Sequence, residues 1–172
     1  MRKIIFILST LLFTVNCMAQ RIVLSNIASI DAPVGMRKMD KSSVLGSSKL
    51  KFQARPDLQE RINRHANNIY RIDDVLIELH VFNRMPEPGR AQSLRAMYAS
   101  TFGPTTLENL DNKQIIITLD TLDHPADVYH FFCLNNDASI QAAGFVKFEP
   151  GDKDKARSIL HDILKSMKFK VQ

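Results

Sequence analysis

The chain has 172 residues, 45% hydrophobic and 24% charged, with no tryptophan. That length suffices for one domain with a proper core. The formal charge of +5 includes no run of five or six like charges, which argues against a nucleic-acid surface.

The first residues carry the clearest functional signal. Met1-Arg2-Lys3 is positive, 4–15 is apolar apart from Ser9, Thr10 and Thr14, and Asn16-Cys17-Met18-Ala19-Gln20 follows. This is the pattern of a secretory signal peptide cleaved after Ala19. The apolar run is shorter than the ~20 residues a membrane span needs. We therefore expect residues 1–19 to be a signal peptide. Residues 20–172 would be a single exported domain, periplasmic or extracellular, with formal charge +3 once Arg2 and Lys3 are gone. No transmembrane span is expected in that mature chain. Cys17 opens a second route, because bacterial lipoproteins are cleaved just before a cysteine that is then acylated. Thr14 and Asn16 fit that motif poorly, so simple export is preferred to a lipid anchor. After cleavage at Ala19 only Cys133 remains, and no intrachain disulfide is available. Its strand context favours burial as a small apolar side chain.

The segments from Arg21 to about Ser48 are short. Ile22-Val23-Leu24 is apolar, 27–31 reads as a first strand, and Pro33 and Gly35 mark a turn. Leu50, Phe52 and Ala54 alternate with polar residues as a brief strand. Pro56 suits the first position of a helix running to about Asn67, with Leu58, Ile62, Ala66 and Ile69 spaced by four, four and three. Val75 to Phe82 is a strand with both faces nearly apolar, and hence central. A stiff Met85-Pro-Glu-Pro-Gly89 loop leads to a helix over 90–101, with Ala91, Leu94, Met97 and Tyr98 on one side. Strands over 114–121, 127–134 and 139–148 follow, the last two joined by an Asn135-Asn136-Asp137-Ala138 turn.

Pro150-Gly151 then turns the chain into a closing helix over 152–169. Ala156, Ile159, Leu160, Ile163, Leu164 and Met167 form one continuous stripe at helical spacing. Asp152 is placed to accept a hydrogen bond from the first turn. The stripe requires a flat apolar floor, which the preceding strands supply. The expected architecture is α+β, an antiparallel sheet flanked by helices.

This order of elements resembles the PsbP-like superfamily. The closing Ile159-Leu-His-Asp-Ile-Leu-Lys-Ser-Met-Lys-Phe169 is similar to the helix on which its members commonly end. The resemblance covers about residues 75–169 and rests on pattern. It implies an α/β/α sandwich and an accessory or binding role. The photosystem members bind a protein complex and influence its metal cofactor. No position here matches their functional residues, and none is carried over.

Three constellations could carry chemistry. Glu78 and His80 lie two apart on one strand and share a face, as two metal ligands would, with His130 on another strand as a third. His124 lies among Asp120, Asp123 and Asp127, where a solvated turn is expected; the spacing is not that of a calcium loop. Arg84, Arg90 and Arg95 flank the Pro-rich loop and could meet an anionic ligand or a partner. Cys133 and His130 are three apart on a strand and point to opposite faces, which disfavours a thiolate–imidazole pair between them. The chain has no Gly-x-Ser-x-Gly elbow, phosphate-cradling glycine loop or His-Glu-x-x-His, and no cofactor is implied.

The preferred reading is an exported, non-catalytic binding or accessory protein of the cell envelope, its partner an envelope protein or a small ligand. One alternative is a periplasmic enzyme or metal-binding protein using Glu78, His80 and His130. The other is an envelope protein anchored by lipid through Cys17.

Overall fold

The computed structural model describes residues 20–46, 56–121 and 126–170. The expected signal peptide, Cys17, the brief strand over 50–54 and His124 lie outside them. In chain order come β1 (Arg21–Ser25), β2 (Ala28–Asp31), β3 (Arg37–Lys38), α1 (Lys41–Gly46) and α2 (Pro56–Arg64). A 3-10 turn (Ala66–Asn68), β4 (Ile69–Ile72), β5 (Val75–Asn83), α3 (Arg90–Phe102) and β6 (Thr105–Leu110) follow. β7 (Lys113–Asp120), β8 (Asp127–Asn135), β9 (Ile140–Phe148), α4 (Lys153–Ser166) and β10 (Lys168–Phe169) complete the order.

Seven strands make one antiparallel sheet in the order β3-β4-β5-β9-β8-β7-β6. The strands with the densest apolar runs, β5, β9 and β8, take the middle places. That is where both faces are covered and alternation with polar residues is not required. The sheet is flanked by helices on both sides, so the architecture is α+β, as the patterning predicts.

On one face, Val75, Ile77 and Leu79 of β5 join Ala142, Val146 and Phe148 of β9 and Tyr129, Phe131 and Cys133 of β8 in a continuous apolar core. The whole α4 stripe, Ala156 through Met167, is buried in that core. Each large aliphatic side chain removed from water there contributes roughly 1.5–3 kcal/mol. The other face holds two smaller clusters. Val44, Ile62 and Ala66 cover Ile69, Leu76, Val128 and Phe145. Ala91 and Leu94 of α3 cover Ile116, Leu134 and Ala138.

A second, three-stranded sheet has the order β1-β2-β10. Lys168 and Phe169 pair with Ser29 and Ala28, so the last strand lies beside one of the first. This corrects the expected end of the closing helix. The helix stops at Ser166, Met167 is extended at φ −63° and ψ 128°, and the following residues serve the small sheet. Ser166 Oγ reinforces the junction, accepting from Asp31 N at 3.2 Å and lying 3.1 Å from Asp31 O. Two further details differ from expectation. The Asp152 side chain makes no capping hydrogen bond; its backbone N–H closes a 3-10 turn onto Glu149 O instead. Met97 is 52% exposed, because α3 buries only the Ala91–Leu94 side of its stripe and half-buries Tyr98.

The patterning did not resolve β3, β4, β6 or β10. β4 and β6 enter two-residue turns whose first residues, Asp73 and Asp111, sit at φ 50° and 52°. The Pro-rich loop is tied to the β8–β9 hairpin: Arg84 N donates to Ser139 O at 2.7 Å and Glu87 N to Asp137 O at 3.2 Å.

Candidate functional site

The two faces of the large sheet differ in chemistry. The α4 face is apolar at its centre. The opposite face buries Glu78, His130, Thr118, Asp120 and Lys147 under the other helices. Register explains how they assemble. Glu78 pairs with Phe145, Phe145 with His130, His130 with Thr118 and Thr118 with Thr105, giving one row across five strands. Polar side chains buried in such a row need internal partners, since an unpaired buried charge is costly.

Glu78 is fully buried and finds its partner on α2. Arg61 Nε donates to Oε1 at 3.1 Å, and Arg61 Nη2 lies 2.7 Å from Oε2. The first contact is a charge-assisted hydrogen bond and the second an ion-pair approach, for Oε2 has no hydrogen-bond partner among the described residues. The Arg61 guanidinium also lies 5.9 Å from the centroid of the Phe145 ring. His80 Nδ1 approaches Glu78 Oε1 to 3.4 Å. On its other side His80 stacks with His65, centroids 4.9 Å apart and planes 20° apart, and with Phe82 at 5.5 Å. The Arg84 guanidinium sits 5.8 Å above the Phe82 ring. Alternation along β5 puts Glu78, His80 and Phe82 on one face. They form a ladder that grades from a buried acid, through half-buried rings, to the exposed Arg84. Burial and the neighbouring His80 hold the His65 imidazole below its ordinary value.

His130 belongs to a different cluster. Phe145 stands between it and Glu78 in the row, and His130 Nε2 lies 3.3 Å from Asp120 Oδ2. Both groups are buried. Phe102 and Tyr98 of α3 cover the imidazole, with centroids at 4.8 and 5.8 Å. The structure thus brings Glu78 and His80 together and sets His130 apart. Among the described residues no group of three or more His, Cys, Asp and Glu side chains is arranged to hold a metal ion.

The three arginines around the loop separate too. Arg90 ties the loop down, donating from Nε to Gln141 Oε1 at 3.0 Å and pairing with Glu87. Arg95 Nε donates to Thr105 O at 3.4 Å, joining α3 to β6. Arg84 alone of the three extends the ring ladder. Cys133 is buried in the α4-side core, on the face away from His130, and burial pushes its thiol up to about 12. A neutral thiol is a poor nucleophile at ordinary pH.

Sequence reasoning did not find Arg61 or the Asp120–His130 pair, and it did not connect His65 to His80. A signal for the first was present. Arg61 and His65 are four apart, beside the Ile62–Ala66 stripe of α2, so both project along the edge that meets β5. Pairing Asp120 with His130 requires the β7–β8 register, which the sequence does not display.

No family model matches the chain, and no curated protein does so either. Several solved structures are similar, among them these two. One is the crystal structure of a protein from Bacteroides thetaiotaomicron VPI-5482, with a TM-score of 0.52 and 6% identity over 90% of this chain. The chain spans half the length of that protein. The other is the solution structure of cyanobacterial PsbP from Synechocystis sp. PCC 6803, with a TM-score of 0.48 and 8% identity over 88% of this chain and 92% of that one. At these identities the likenesses concern the fold alone and carry neither activity nor partner across.

Proposed function

We propose that this is an exported, non-catalytic binding protein of the cell envelope, and that its contact surface is the outer end of the β5 ladder. The observation that supports this reading is the gradation from His65 and His80 to Phe82 and Arg84. Stacked rings ending in an exposed guanidinium offer a flat face and a positive rim, suited to a planar or anionic group on a partner. The acids behind it are committed to structure: Glu78 holds Arg61, and Asp120 holds His130.

A second reading, an enzyme working through Glu78 and His80, draws on the 3.4 Å approach of the two. At that distance the carboxylate's charge reaches the imidazole, without the hydrogen bond that orients the base in general-base dyads. One experiment tests the first reading. The chain over 20–172 and its Phe82→Ala and Arg84→Glu variants are cross-linked in envelope extract, and the adducts are compared by mass spectrometry. Binding predicts a discrete adduct lost in both variants at unchanged melting temperature. Identical adduct sets from all three chains would refute it. Intact mass of the cell-derived protein tests the location. A start at Gln20 supports export, an acylated Cys17 supports the anchor, and an intact Met1 in the cytoplasm refutes both.

A further inference from the structure

His65 occupies a mechanical position. It joins the end of α2 to the 3-10 turn, and its backbone N–H donates to Arg61 O at 2.9 Å while its carbonyl accepts from Asn68 N at 2.8 Å. Its ring lies flat on His80 of the central strand β5. The segment it belongs to is held by a small apolar cluster, Ile62 and Ala66 against Ile69, Leu76, Val128 and Phe145, distinct from the main core under α4. A unit of that size opens locally at lower cost than the whole domain.

The charged and titratable groups facing His65 are His80 and Glu78 from β5, with Arg61 and Arg64 from its own helix. Of these only Glu78 favours a proton on His65, and its carboxylate is already paired with the Arg61 guanidinium. Two neutral imidazoles stack without penalty. Two imidazolium rings with centroids 4.9 Å apart, beside a guanidinium, repel one another, and a single carboxylate does not offset three positive charges.

We propose that the His65–His80 stack is an acid-released latch, which holds α2 and its following turn on the sheet at neutral pH and lets them lift as the pH falls. The direction follows from linkage. His65 in the folded protein lies below its ordinary value of 6.5, chiefly through burial and then through His80. An open segment therefore binds more protons than a closed one between those two values. The closed state is fully favoured above about 6.5 and loses that advantage as the pH drops toward the folded value. Lifting α2 uncovers His80 and the inner end of the ladder and leaves the α4 face intact.

The test is amide hydrogen exchange on the chain over 20–172 at pH 7, 6 and 5, corrected for intrinsic exchange, comparing α2 with α4. Acidification raises the opening constant of α2 relative to that of α4. His65→Phe keeps the stack without a titrating group, and His65→Gln removes both; each abolishes the acid response. A constant α2-to-α4 ratio across the range overturns the latch. So does an acid response that survives in both variants, which would place its origin outside His65.

Discussion

Lys113 Nζ donates to the carbonyl of Leu164 at 3.2 Å, inside the protein and at the very end of the closing helix. It also reaches Lys165 O at 2.9 Å and Met167 O at 3.0 Å. One ammonium thus serves three carbonyls around the helix end, of which Leu164 O also accepts from Met167 N at 3.4 Å, and it sits where the helix dipole is negative. The side chain comes from the first residue of β7, directly after the Asp111–Asn112 turn. Lys113→Met keeps the apolar stem and removes the charge. It should lower stability by about 2–3 kcal/mol, the loss expected for charge-assisted hydrogen bonds to buried acceptors. Urea unfolding of the two chains measures this, and an unchanged midpoint would show that the cap contributes nothing net.

Arg61→Met leaves the Glu78 carboxylate buried without its counterion. A cost of about 2–3 kcal/mol is expected, below that of a fully buried pair because Arg61 retains 25% exposure. Replacing both groups by methionine should cost less than the single change, since no stranded charge remains. A double-mutant cycle from urea unfolding gives the coupling directly.

Gly144 lies mid-strand on β9, opposite Leu79 and Phe131. A Cβ at this position would run into the Glu78 carbonyl, with the Phe131 ring 2.8 Å away. The carbonyl is backbone in the centre of the sheet and has little room to yield. Gly144→Ala should cost about 3 kcal/mol or more. A melting temperature equal to that of the parent chain would contradict this close approach.

Cys133 should be silent toward an aromatic disulfide reagent at pH 8 in the native chain over 20–172 and react fully in denaturant. With its thiol pushed up to about 12 by burial, the thiolate fraction is negligible and access is closed. Rapid labelling of the folded protein would mean that the α4-side core opens.

The central elements were legible because their chemistry is one-sided. The strand expected over 75–82 runs over Val75–Asn83, and the helix expected over 90–101 runs over Arg90–Phe102. Strand placement failed at the sheet margins. Thr105–Leu110 reads Thr-Thr-Leu-Glu-Asn-Leu, and an edge strand with one solvated side has no need of a dense apolar run. Ile69 was absorbed into a helical spacing that continues through the 3-10 turn, which hid the start of β4. Helical spacing carries on toward Phe169 because Met167 still satisfies the stripe after the backbone has become extended. The site was half legible for a related reason. Glu78 and His80 share a face by local alternation, whereas their partners Arg61 and His65 arrive through tertiary packing of α2. The placement of Phe145 between Glu78 and His130 depends on the register of three strands.

The pairing of β10 with β2 has a consequence for how the molecule is completed during synthesis. Ala28 and Ser29 meet Phe169 and Lys168 only after the intervening residues have emerged. A chain handed over from its amino end must therefore keep its opening strands half-partnered until the final residues arrive. Shortening the tail by a few residues would leave that early hairpin with an open flank while sparing the large sheet.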